Sequence, residues 1–279
     1  MQTSGQKSIL ITGASSGIGY DAALAMRAAG WRVFASCRKP DDCARLAGLG
    51  FDAPVLDYAS DASITEGLGE VLEATGGRLD AVFNNGAFAI PGAVEDLPRA
   101  ALREIFETNL FGVHELTRQV IPVMRAQGHG RIVNNSSVLG LVALRMRGAY
   151  VSSKFALEGL TDTLRLELRG SGIHPILIEP GPVTSKIRVN SIPHFERHID
   201  WENSAQSVLY RDRLRPRLYH SSGPDPFELP AGAVSKVLLR ALTARKPRAR
   251  YYVTKPTYLF GFARRILSSA GLDAILSKA

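Results

Sequence analysis

The stretch "ILITGASSGIGYDAAL", residues 9–24, joins a short apolar run to a glycine-rich turn and the start of an amphipathic helix. Gly13, Gly17 and Gly19 let the backbone turn tightly and approach a ligand closely, with Ser15, Ser16 and Ile18 between them. A pyrophosphate fits such a turn, because it can rest on the free N–H groups of the helix N-terminus. Many tight turns are rich in glycine. The position of this one, after the first strand and opening the first helix, is what selects the dinucleotide-binding reading.

Outward from this turn the pattern repeats. Apolar runs at 8–12, 32–37, 53–56, 80–84, 131–136 and 174–179 read as strands buried on both faces. Helical patterns at 18–29, 41–48, 61–75, about 99–127 and about 149–170 separate them. The alternation predicts an α/β fold of the Rossmann type: a doubly wound parallel sheet with helices on both faces. No repeat or linker divides the 279 residues, so one domain over 1–279 is expected. After Gly181 the periodicity weakens. Residues 182–230, with "IPHFERHIDW" and "LRPRLYHSSGPDPF", are expected to form a partly helical substrate lid. A helix at about 231–244, an edge strand at 250–254 and amphipathic turns at about 258–277 follow.

Charge and cysteine content narrow the function. Residues 245–279 form a basic C-terminal extension with eight basic side chains and one acid, carrying +7 of the net +8. A nearly neutral body with one basic patch is not the footprint of a nucleic-acid binder. Cys37 and Cys43 imply no disulfide framework. Residues 1–13 contain no apolar signal core, and no apolar run approaches the ~18 residues that span a bilayer. A cytoplasmic location is expected.

Four further motifs accompany the TGxxxGxG turn: "NNGA" at 84–87, "NSSVLG" at 135–140, "YVSSK" at 150–154 and "EPGPVTS" at 179–185. In order and separation they closely resemble the short-chain dehydrogenase/reductase family, over residues 8 to about 186. Two departures are mild. Asn-Asn-Gly-Ala replaces the commoner Asn-Asn-Ala-Gly, and Ser185 stands where the family usually has threonine.

The resemblance implies a carbonyl–alcohol oxidoreductase. Tyr150 would be the general acid/base, Ser137 would polarise the substrate oxygen, and Asn109 would hold a water linking Lys154 to solvent. Lys154 would also bond the nicotinamide ribose. Asn84, Gly86 and Ala87 would line the cofactor floor. Asp57 would meet the adenine, with Leu56 and Tyr58 beside it. Pro180, Gly181, Val183 and Ser185 would hold the carboxamide side.

Elementary chemistry supports the Tyr150–Lys154 pair. Residues four apart share a helix face. A free phenol titrates near pH ~10, too high for proton exchange at neutrality, and a neighbouring ammonium favours the phenolate. The family's acidic position at the end of the second strand is Cys37, and Arg38 and Lys39 follow it. An arginine there bonds a 2′-phosphate, where an acid would bond the 2′-hydroxyl. The cofactor expected is therefore NADP(H) in preference to NAD(H), with Lys39 or Ser36 supporting Arg38.

Phe88, Leu139, Leu141, Leu144, Val183, Ile187, Phe195 and Trp201 are expected to wall the substrate site. This apolar set points to a lipophilic ketone, aldehyde or alcohol, as in relatives acting on steroids and retinoids. The six histidines show metal-ligand spacing only at His194 and His198, and no metal is expected. The resemblance also implies a homodimer or homotetramer paired through helices 99–127 and 149–170. Leu259, Phe262 and Ile266 share one helical face of the tail. That face is expected to pack on the domain or a subunit, with peripheral contact to an anionic membrane as the alternative. The rival reading is a regulatory protein that senses NADP(H) without turnover.

Overall fold

The apolar runs become short strands because each is covered on both sides. In the computed structural model, which describes residues 5–220 and 223–277, β1 (Ser8–Ile11), β2 (Arg32–Ala35), β3 (Ala81–Asn84), β4 (Gly130–Asn135), β5 (Ile173–Glu179) and β6 (Arg250–Tyr252) form one sheet. All pairings are parallel and the order is β2-β1-β3-β4-β5-β6. Leu10 stands opposite both Phe34 and Val82 in the register. The chain runs outward from β1 to β2 and returns to β3, so the winding reverses between β1 and β3. The crevice outside the carboxyl ends of the strands at such a reversal is where ligands bind in open α/β sheets.

The run 53–56, expected as a strand, makes only two isolated parallel bridges, Phe34 with Asp52 and Cys37 with Val55. Pro54 lies between the bridging residues, and its missing N–H interrupts the ladder.

The major helices fall close to their expected positions: α1 (Gly17–Ala28), α2 (Pro40–Gly48), α3 (Asp61–Thr75), α4 (Arg99–Phe106), α5 (Gly112–Gln127) and α6 (Gly148–Glu167). Side chains alternate across each strand. Ile9 and Ile11 pack toward α1 with Ala22 and Met26, whereas Leu10 packs on the other side with Val71 of α3 and Leu116 of α5. Two hydrophobic cores thus sandwich the sheet.

Beyond β5 the chain builds α7 (Ile187–Asn190), α8 (Ile192–His198), α9 (Ser207–Leu209) and α10 (Arg215–Tyr219), with a π-helical turn over Tyr210–Leu214. These segments enclose a small core of their own, containing Phe195, Ile199, Tyr210, Leu214 and Leu218. Ala93 and Leu97 of the body pack against this core, and a polar tie adds to the contact. The Tyr210 hydroxyl donates to Asp96 at 2.7 Å and accepts from the Ala93 N–H at 2.7 Å.

α11 (Gly232–Thr243) covers the sheet beside α1, and α12 (Lys255–Ile266) and α13 (Ser269–Leu276) follow β6. Arg264 of α12 stacks over Phe155, 4.7 Å from the ring centre, and donates to the Leu141 carbonyl. Lys278, counted with the basic extension, lies outside the described residues. No helix among the described residues is long and apolar enough to cross a membrane.

Candidate active site

The turn between β1 and α1 meets the loop after β3 at van der Waals range. Gly13 has φ +63°, a left-handed value that favours glycine. A Cβ added there would stand 2.7 Å from the Gly86 Cα, so the two loops close this tightly because Gly13 lacks a side chain. The Thr12 Oγ1 clamps them from below. It accepts from the Asn85 and Gly86 N–H groups at 2.9 and 3.0 Å, and it bonds the Tyr58 hydroxyl at 2.9 Å.

Asn85 carries this clamp to the next strand. Its Nδ2 donates to the Thr12 carbonyl at 3.0 Å, and its Oδ1 accepts from Asn135 at 2.9 Å. The Asn135 carbonyl in turn accepts from Lys154 Nζ at 2.8 Å. Lys154 is therefore tied through β4 to the glycine turn. Removing one partner of such a buried bond costs about 1–3 kcal/mol, which makes the register between α6 and the turn stiff.

These elements surround a cavity of about 1450 Å³. Single drug-sized ligands occupy roughly 300–1,000 Å³, so this one has room for a dinucleotide and a substrate together. Gly13, Ser15, Ser16, Gly17 and Ile18 line it, as do Asn85, Gly86 and Ala87. Ser137, Tyr150 and Lys154 open on the same space, with Pro180, Gly181, Val183 and Ser185 opposite. A glycine cradle at the N-terminus of α1, continuous with a hydroxyl–phenol–ammonium set, fits a nicotinamide dinucleotide with its reactive end at Tyr150.

Several expected site residues lie elsewhere. Asn84 is one layer below the floor. It accepts from Tyr58 and donates to Asn134 and Thr117. Asn85, to which the sequence attached no role, lines the cavity in its place. Tyr58 is buried under Gly86 and does not wall an open pocket. Gly19 is buried behind the turn against the Gly13 carbonyl.

Arg38 and Lys39 are exposed at the end of β2, and neither they nor Asp57 line the cavity. Asp57 accepts from the Ala59 N–H at 3.0 Å. A third cation, Arg45 of α2, donates to the Ser15 carbonyl of the glycine turn at 2.6 Å. The sequence showed Arg45 only as a helix-surface residue.

Asn109 sits on a π-helical turn, Glu107–Phe111, that joins α4 to α5. Such turns concentrate at functional positions. Its side chain accepts from the Phe88 N–H at 3.1 Å and donates to the Phe88 carbonyl at 2.9 Å and to Ser153 at 3.1 Å. It thereby holds the loop after β3 against α6, one residue from Lys154.

The electrostatics depart from the simple expectation. Burial pushes the Tyr150 phenol up to about 12, and the Ser137 hydroxyl only partly reverses this. Burial pushes Lys154 down to about 8, opposed by the charge of Glu158 one turn on. The ammonium nitrogen lies 5.5 Å from the Tyr150 ring centre. In the chain by itself, desolvation outweighs the ammonium's pull on the phenol, because a charge leaving water for a closed site loses more than one cation at this distance returns.

The apolar wall is corrected as well. Leu139, Leu144, Val183 and Ile187 line the cavity, but Phe88, Leu141, Phe195 and Trp201 do not. Phe195 belongs to the small core beyond β5, and Phe88 stacks on His194 with ring centres 4.2 Å apart. Basic side chains take their place on the wall. His194 and His198 both pair with Glu104 of α4, at 2.8 and 2.5 Å, and Arg197 joins them at 3.1 Å. These histidines fasten α8 to the body. Among the described residues no group of three or more potential ligands gathers around a metal position.

The chain is similar to several known proteins. A family profile described as short chain dehydrogenase matches residues 7–194. The oxidoreductase YbbO of Escherichia coli (strain K12) is 39% identical over 271 residues, covering 97% of this chain and 94% of that protein. The NADPH-dependent 3-dehydrocapnine reductase of Ornithobacterium rhinotracheale is 30% identical over 280 residues, covering 96% and 95%. A solved short chain dehydrogenase/reductase from Burkholderia phymatum, in complex with NAD, superposes with a TM-score of 0.76 at 26% identity, covering 98% of this chain and 95% of that one.

Proposed function

The chain belongs to the short-chain dehydrogenase/reductase family, and from that premise we propose that it interconverts a ketone or aldehyde and its alcohol on a lipophilic substrate, with NADP(H) as cofactor. The observation that carries this reading is the single cavity shared by the glycine turn, Ser137, Tyr150 and Lys154. NADP(H), when bound, supplies or takes up the hydride. Tyr150 gives its proton to the carbonyl oxygen in reduction and withdraws one from the alcohol in oxidation. Ser137 holds that oxygen and Lys154 keeps a positive charge beside the phenol. Asn109 positions the loop after β3 against α6. The segment 182–230 is the substrate lid, and the cytoplasm is the proposed location.

The choice of NADP(H) rests on Arg38, with Lys39 and Arg45 near the same end of the glycine turn, and no acid at Cys37. The Arg38→Asp substitution is expected to lower NADP+ affinity by about 10- to 100-fold, the range of one charge-assisted contact, and to shift preference toward NAD+. Equilibrium titration of both nucleotides checks this. A wild-type preference for NAD+ overturns the assignment.

The activity is tested by following NADPH oxidation with steroid ketones, long-chain aldehydes and sugars. Turnover of the lipophilic members is expected. A preference for sugars overturns the substrate class, and tight NADPH binding without turnover on any carbonyl favours the sensor.

A further inference from the structure

The cavity wall carries more positive charge than hydride transfer requires. Arg145, Arg147, Lys186, Arg188, Arg213 and Arg217 line it against two carboxylates, Asp225 and Glu228. Both acids are already engaged. Asp225 pairs with Arg188 at 2.9 Å and Arg217 at 2.8 Å, and Glu228 accepts from Thr184 at 2.7 Å and from the Asp225 N–H at 2.8 Å.

Arg147 is the cation closest in the chain to the reacting phenol. It is the N-cap of α6, three residues before Tyr150 in the chain, and both side chains line the cavity. Among the described residues it forms no ion pair. Its one hydrogen bond runs from Nη1 to the carbonyl of its neighbour Met146, at 3.1 Å. The side chain is enclosed by the wall while opening on the cavity. Burial, together with the like charges of Arg217 and Arg188, pushes the guanidinium down to about 10, and the charge of Asp225 opposes this only in part. Met146 itself has φ +59°, uncommon for a residue with a side chain, and its backbone is held by Gly92 at 3.0 Å. An enclosed guanidinium without a carboxylate is costly, and a planar anion restores its lost partners through two parallel bonds.

We infer that Arg147 is a specificity-determining residue that seats a carboxylate or phosphate of the carbonyl substrate, so that the substrate is an amphiphile with an apolar chain and one anionic end. The inference rests on the carbonyl–alcohol reading and narrows it. Leu139, Leu144 and Ile187 take the chain, and the anion lies at the start of α6 in the cavity that Tyr150 also lines.

The test uses the full-length protein with NADPH and two matched substrate pairs. One pair is a long-chain 4-oxo acid and its methyl ester, which reads the carboxylate. The other is a 1-acyl dihydroxyacetone phosphate and its dephosphorylated form, which reads the phosphate. In at least one pair the charged member is expected to exceed the neutral one in kcat/KM by about 10- to 100-fold, carried mainly by KM. Arg147→Met is expected to collapse that ratio toward one, and Arg147→Lys to restore part of it.

Equal kcat/KM within both pairs overturns the inference while leaving the oxidoreductase reading standing. A fall in NADPH affinity of Arg147→Met by about tenfold or more assigns the residue to the cofactor and also overturns it. If no compound turns over, calorimetric titration of decanoate and decanol into the NADP+-bound protein still decides the point. Decanoate binding that is lost in Arg147→Met upholds it, and indifference to charge sinks it. Circular dichroism confirms that each variant is folded.

Discussion

Tyr150 is enclosed and its phenol is raised to about 12, so it holds its proton throughout the neutral range. A phenol in that state is ready to donate to a carbonyl. The Tyr150→Phe substitution removes only the donor, and general acid catalysis is typically worth about 10²–10⁴-fold. Reductase turnover is expected to fall by that amount while NADPH affinity stays within about twofold, because the cofactor cradle is unaltered. Near-normal turnover would remove Tyr150 from the mechanism. The pH profile follows from the other member of the pair. Lys154 is pushed down to about 8, so it is charged below that pH and neutral above it. With Tyr150 protonated on both sides of this value, kcat/KM for reduction is expected to be level below pH 8 and to fall by about tenfold per unit above it. A level profile up to pH 10 contradicts the role given to the ammonium.

At the scale of elements, the least sequence-legible feature is a cluster that joins α6, β5 and β6. Arg250 of β6 bonds Asp162 and Glu158 of α6, each at 2.8 Å, and approaches Glu179 of β5 at 3.1 Å. Glu179 is fully buried, and burial followed by the charge of Glu158 raises its carboxyl. Glu158 faces Lys154, so the cluster also supports the catalytic helix from behind. Arg250→Met leaves buried carboxyls without their cation, which typically costs about 3–5 kcal/mol. A fall in Tm on the order of 10 °C at neutral pH is expected. The sign with pH is definite. A carboxyl whose folded value is raised contributes its stability below the unfolded value, and that contribution is lost as pH rises through the folded one. Glu179 is raised to about 9 and keeps its proton at both pH 5 and pH 8, so the gap in Tm between variant and wild type is expected to change little across that range in a calorimetric series. A gap that widens markedly toward pH 8 would show that carboxyls of this cluster are ionised in the wild type. The π-helical turn that presents Asn109 was equally hidden. Its sequence, "ETNLFG", continues the helical periodicity of 99–127, and one extra residue in a turn leaves no hydrophobic signature.

Among the described residues, large apolar side chains are exposed on several elements, α4–α6 and α12 among them. Phe111 and Leu166, with Leu102 and Leu160, are exposed on the outer faces of α4–α6 and the π turn. Tyr258, Leu259, Phe262 and Ile266 are 56–62% exposed on the outer face of α12. Where such side chains form one patch, they mark interaction sites. A dimer or tetramer paired through α4–α6 is expected, and Phe111→Glu combined with Leu166→Glu is expected to bring the mass in light scattering down to one protomer. An unchanged mass moves the interface elsewhere. We expect the α12 face to pack on a neighbouring subunit. Its co-sedimentation with phosphatidylglycerol vesicles, lost on truncation before Lys255, would assign it to a membrane instead.

The strand–helix alternation, the glycine turn and the shared helix face of Tyr150 and Lys154 could be read in advance because each depends on local rules, whereas Ser137 and Asn109 are named only by the family resemblance. Period-2 and period-3.6 burial, backbone freedom at Gly13, and the i, i+4 reach from Tyr150 to Lys154 are set by near neighbours in the chain. What only the tertiary structure decided involves partners far apart in sequence. Asn85 bonds Thr12 across more than seventy positions, Arg250 meets Glu158 across more than ninety, and Arg147 lacks a carboxylate because Asp225 is engaged by Arg188 and Arg217. The balance between desolvation and charge at Tyr150 belongs to the same class. A pKa depends on everything within several ångströms of the group, and that neighbourhood exists only once the chain has folded.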